Sequence, residues 1–85
     1  MTQLKILVDT VLKQRPVQST ALKDTQKQPV KAGTVFNIQS FAPASDHLKV
    51  ALVDKSFQGF NTWYVYQRAA AVLESGEITF RLQLS

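Results

Sequence analysis

Cysteine is absent from these 85 residues, which excludes disulfides, thiolate metal sites and cysteine nucleophiles. Histidine occurs once, as His47, so no His-rich metal cluster can form. Glycine and proline number only three each, too few for a low-complexity or linker-like chain. No stretch of about 18 apolar residues is present, so no segment reads as a membrane-spanning helix. The start, Met1 to Val8, lacks the basic opening, long apolar run and small-residue cleavage site of a secretory signal. The expected location is therefore cytoplasmic, or the cell envelope if the sequence is a fragment of an exported protein. The ten Lys and Arg residues are scattered singly, for a net charge of +4. Such scatter describes a solvated surface rather than a nucleic-acid footprint.

What is present is a folded composition, 45% hydrophobic and 19% charged. At this length it supports one core and one domain, residues 1–85. The strongest segment is Asn61-Thr62-Trp63-Tyr64-Val65-Tyr66. Strand alternation sends Trp63 and Val65 to one face and Tyr64 and Tyr66 to the other. One face then anchors the core, and the other presents aromatic surface.

The remaining segments point the same way. Leu4 to Leu12 is rich in aliphatic and β-branched residues and reads as a strand, or two short strands bent at Asp9-Thr10. A helix with Leu4, Leu7, Val8, Val11 and Leu12 on one face competes with that reading. Residues 14–30 are polar and bracketed by Pro16 and Pro29, a long loop with Val17 and Leu22 tucked inward. Gly33 opens a strand over Val35 to Phe41, with Phe36, Ile38 and Ser40 sharing a face. Ala42 to Asp46 is a turn, and His47 to Asp54 a strand with Leu48, Val50 and Leu52 inward.

Lys55 to Phe60 is a hairpin loop whose Phe57 and Phe60 form an exposed aromatic tip or cover one end of the core. Gln67 to Ala69 suggests a short 3-10 turn before a strand at Ala70 to Glu74, although a helix over Arg68 to Glu74 competes. Ser75-Gly76 is a two-residue hairpin turn. Beyond it, Glu77 to Leu84 alternates, with Ile78, Phe80, Leu82 and Leu84 on one face. That last strand folds back on its own chain or pairs with a neighbour, which makes an oligomer a possibility to test. The expected fold is all-β: a small five- to six-stranded barrel with a long loop after the first strand.

The order Val30-Lys31-Ala32-Gly33-Thr34-Val35-Phe36, Val50-Ala51-Leu52, then Trp63-Tyr64-Val65-Tyr66 resembles the bacterial Src-homology-three-like modules. Thr10-Val11-Leu12-Lys13, Pro16-Val17-Gln18-Ser19 and Asn61-Thr62-Trp63-Tyr64 are similar to a subset associated with cyanobacterial enzymes and cell-wall proteins. The resemblance covers about residues 4–74; Glu77 to Leu84 extends past it. It implies a small barrel that is not an enzyme, uses no cofactor, and binds a peptide or peptidoglycan ligand to position a partner or attached enzyme.

Tyr64, Tyr66, Phe57 and Phe60 are the candidate binding aromatics, with Lys49, Lys55 and Arg68 available to pair ligand carboxylates. His47 reads as a surface or turn residue. A catalytic assembly of Asp46 with Ser45 and Ser56 can be drawn on paper but is disfavoured, since such chemistry needs a nucleophile and an orienting carboxylate held together. Two other classes compete: an interaction subunit docking through the Phe57–Phe60 loop and the last strand, and a nucleic-acid binder using lysines and stacking rings. Steep salt dependence would mark the latter.

Overall fold

A computed structural model describes residues 2–74 and 77–80, with the chain path alone for Ser19 and 77–80. It is all-β apart from one-turn 3-10 helices at Ser19–Ala21, Asp24–Gln26 and Gln67–Ala69. The strands are β1 (Thr2–Ile6), β2 (Thr10–Lys13), β3 (Lys27–Val30), β4 (Val35–Ala44), β5 (His47–Leu52), β6 (Thr62–Tyr66), β7 (Ala70–Glu74) and β8 (Glu77–Phe80). They hydrogen-bond in the order β3-β2-β6-β5-β4-β1-β7-β8, every pair antiparallel.

Several expectations are corrected here. Among the described residues eight strands replace five or six, and the sheet they form is open at β3 and β8 rather than closed. The expected long loop after the first strand is in part a hairpin, β2 pairing β3 with Val11 opposite Pro29. Proline hides this strand in the sequence because it cannot donate to a ladder. It is tolerated because β3 is an edge strand. The Leu4–Leu12 run is two strands, one of the expected readings, and not a helix; the bend falls at Val8-Asp9 rather than Asp9-Thr10, since Thr10 already starts β2.

β4 joins the two halves of the sheet. Its start pairs with β1 through Val35 to Asn37, and the rest pairs with β5 from Ile38 to Ala44. The register shifts between Ile38 and Ser40, and such irregularities bend a strand and raise its twist. Phe36 and Ile38 therefore stay buried while Ser40, two residues on, is exposed. The strand runs to Ala44 where a turn was expected from Ala42. Pro43 is accommodated because this half of β4 pairs only with β5. The connection shrinks to Ser45-Asp46, with Ser45 at φ 60.

The bend lets one core lie against both halves of the sheet. Leu4 and Ile6 of β1, Leu12 of β2, Val30 of β3, and Phe36 and Ile38 of β4 belong to it. So do Leu48, Val50 and Leu52 of β5, Trp63 and Val65 of β6, and Ala70 and Val72 of β7. The alanines of β7 are strong helix formers by propensity. Pairing with β1 over five registered positions holds them extended instead, because packing outweighs a propensity of a few tenths of a kcal/mol per residue.

β8 pairs with β7 of the same chain, Glu74 opposite Glu77, so the return of the last segment occurs within the chain. The Ser75-Gly76 turn, the faces of Glu77 to Phe80 and residues 81–84 lie outside what is described. Among the described residues no helix is long and apolar enough to cross a membrane.

Candidate functional site

Alternation along β6 divides the candidate residues between two places. On the inner face Trp63 is fully buried, and its Nε1–H donates to the Phe60 carbonyl at 2.9 Å. That carbonyl belongs to a tight hairpin in which Phe57 and Phe60 exchange both backbone hydrogen bonds at 2.9 Å. Gln58 and Gly59 between them sit at φ 53 and 86, the pair of positive values that a mirror-image two-residue turn requires. Gly59 supplies one at little cost.

The Phe57 and Phe60 rings meet the indole edge-on at 6.4 and 6.3 Å. Phe57 also packs on Phe36 at 5.9 Å, and the Lys55 ammonium lies 5.4 Å from the Phe57 ring centre. Phe57 therefore covers one end of the core, whereas Phe60 is 49% exposed.

The outer face of β6 carries Tyr64 and Tyr66, both half-buried. Directly opposite on β5 stand Lys49 and His47. On the other side Lys13 of β2 pairs with Tyr64. The Lys49 ammonium lies 6.0 Å from the Tyr64 ring centre, and the His47 and Tyr66 rings meet edge-on at 5.8 Å. Of the seven candidates, then, Tyr64, Tyr66 and Lys49 share one surface, while Phe57, Phe60 and Lys55 gather at the end of the core. Arg68 is exposed on the 3-10 turn that follows Tyr66.

His47 is a correction: it is 4% exposed, not a surface residue. Its Nδ1 lies 2.6 Å from an Asp46 carboxylate oxygen, and its Nε2 lies 3.0 Å from the Lys13 ammonium. An ammonium can only donate, so Nε2 accepts and Nδ1 carries the proton given to Asp46. Lys13 is itself only 8% exposed. Burial holds its pKa below the usual value, with the Asp46 carboxylate opposing that shift.

Gln67 locks the turn that supports this chain of contacts. Its amide donates to the His47 carbonyl at 2.8 Å and the Ser45 carbonyl at 3.2 Å. Its backbone N–H donates to the Asp46 carbonyl at 3.0 Å. The segment after β2 is stitched down beside the face, Gln14 donating through its amide to the Thr62 carbonyl at 3.0 Å.

Thr10, Lys13, Gln18, Asp46, His47 and Tyr66 together line a polar cleft of about 340 Å³. Sequence reasoning missed Lys13 and Gln67 here; it placed His47 on the surface or in a turn, and weighed Asp46 only in a turn or in a disfavoured assembly with Ser45 and Ser56. The alternation of β2 places Lys13 on the face opposite Leu12. Only the non-local pairing of β2 with β6 brings it to His47.

Among the described residues no group of three or more His, Asp or Glu side chains is placed to hold a metal ion. Comparison with protein-family models, with curated proteins and with solved structures returned no match for this chain.

Proposed function

We propose that this chain is a Src-homology-three-like binding module, not an enzyme, and that the outer face of β5 and β6 receives an extended peptide. Peptidoglycan peptides are the first ligand class to consider. The observation that carries the reading is the row formed by Tyr64 and Tyr66 beside Lys49, with the Lys49 ammonium 6.0 Å from the Tyr64 ring centre. Half-buried rings held between paired strands lose little freedom when a ligand docks, and extended chains fit alternate side chains into such rows. The architecture supports the fold half of the reading as far as an all-β, antiparallel sheet wrapped on one core. A single long β4 bends through both halves of the sheet over one core, and a single 3-10 turn leads from β6 into β7.

The Phe57–Phe60 hairpin takes a supporting part in this proposal, because Phe57 is packed on Trp63 and Phe36 and the Phe60 ring, though half exposed, abuts Trp63 at the end of the core. Titration with purified peptidoglycan peptides and with proline-rich peptides, followed by backbone amide shifts, tests the reading. Tyr64→Ala and Tyr66→Ala should each weaken binding about tenfold or more with the fold intact, as truncating an aromatic anchor does. Shifts confined to the Phe60 side, or no response to either substitution, would refute it.

A further inference from the structure

We propose that the cleft beside Tyr66 binds a free carboxylate, the C-terminus of a peptide lying on the tyrosine face, with the Lys13 ammonium as its anchor. This rests on the peptide-binding reading above and adds a direction: the ligand ends at Lys13 and runs back over Tyr66 and Tyr64 toward Lys49.

The donor set carries the inference. His47 Nε2 accepts one of the three N–H groups of Lys13 at 3.0 Å, and that bond steers the ammonium without neutralising it. His47 cannot swing away, because Asp46 holds its other nitrogen at 2.6 Å and Gln67 holds its carbonyl at 2.8 Å. An aimed ammonium on a largely buried lysine is an expensive thing to keep. An anion reaching it through the cleft forms a charge-assisted hydrogen bond in a site already partly stripped of water. The other lining groups suit the same ligand, since the Thr10 hydroxyl, the Gln18 amide and the Tyr66 phenol can all donate.

Asp46 is the one lining carboxylate. It is engaged by His47 and its side chain is 64% exposed, so water screens its repulsion of a ligand anion. A side-chain carboxylate in mid-peptide would carry chain on both sides of itself into the cleft. A terminal carboxylate lets the chain leave in one direction, over Tyr66.

The test compares an N-acetylated alanine tetrapeptide bearing a free carboxylate with the same peptide amidated at its C-terminus. Binding is followed through the amide shifts, the His47 ring signals and the Lys13 ammonium signals. The acid should bind about tenfold or more tighter than the amide, the change one charge-assisted hydrogen bond makes. It should move the Lys13 and His47 signals, and Lys13→Met should abolish the preference.

Equal binding of the two peptides, with shifts at Tyr64 and Tyr66, overturns the carboxylate anchor and leaves the tyrosine face standing. Shifts of the acid form centred on other lysines also overturn it. Failure of both peptides to bind overturns both proposals. Should Lys13→Met fail to fold, the acid-against-amide comparison on the unaltered protein decides alone.

Discussion

Strand β6 presents two surfaces from five consecutive residues. Trp63 and Val65 face a wholly apolar core and are fully buried. Tyr64 and Tyr66 face a half-wet surface with Lys49, His47 and Lys13 around them. The inner face is held mainly by non-directional packing, with the Trp63 Nε1–H bond to the Phe60 carbonyl as its one cited directed contact. The outer face is held by directed bonds, each of which depends on the next: Gln67 fixes the turn, the turn fixes Asp46, Asp46 orients His47, and His47 takes the Lys13 ammonium. Stability resides on the first face, and the chemistry able to recognise a ligand on the second.

The largest effect that separates the two faces is expected at Trp63. Trp63→Ala removes the largest fully buried side chain and should cost about 3–5 kcal/mol. For a small domain with a total stability of about 5–10 kcal/mol this is close to unfolding. Tyr64→Ala, the next residue, should cost about 1 kcal/mol or less, since Tyr64 is only partly buried and lies outside the core cluster. Denaturant titration of both variants measures the contrast. Comparable losses would mean that the outer face is as much a part of the core as the inner.

The second effect concerns the polar chain of contacts. His47→Leu leaves the Lys13 ammonium buried without its acceptor and should cost about 1–3 kcal/mol. Lys13→Met in the same protein removes the orphaned charge and should recover part of that loss, because buried polar networks are worse half-satisfied than absent. A double-mutant cycle on these two residues gives the coupling directly. Simple additivity would show that the 3.0 Å contact contributes nothing to stability.

Much of the inner face was legible in the sequence. Thr62 to Tyr66 and His47 to Leu52 alternate cleanly, and the 3-10 turn at Gln67–Ala69 appears where the chain was expected to break from strand. Each of these signals is local. The outer face depends on facts that are not. Lys13 and His47 are 34 residues apart, and they meet only because β2 pairs with β6 and β6 with β5. The register of β5 against β6 passes through a nine-residue connection, 53–61, and no residue pattern specifies how many positions that connection absorbs. The β2–β3 hairpin was masked by Pro29, whose meaning depends on whether the strand lies at an edge or at the centre. The bend at Ile38–Ser40 left no trace in composition, so an unbroken alternation misplaced Ser40.

The smallest effect is a pH dependence of stability, and its sign is fixed by Lys13. Burial lowers the pKa of this lysine in the folded chain from its usual 10.5. Below the folded pKa both folded and unfolded chains carry the proton, and the cost of burying the charge is present in full. Between the folded pKa and 10.5 the folded chain has released the proton while the unfolded chain still holds it. The unfolded state then binds more protons, so this group makes stability rise with pH across that window and level off above it. The neutral amine still donates to His47 Nε2, so the contact survives the titration. Lys13→Met has no such group, and the difference in unfolding free energy between it and the parent should change in the parent's favour as pH climbs toward 10.5. Because Asp46, His47, Tyr64 and Tyr66 are common to both proteins, the subtraction reports Lys13 together with its coupling to them. A difference that stays flat, or moves the other way, would place the ammonium in water and remove the buried cation from the outer face.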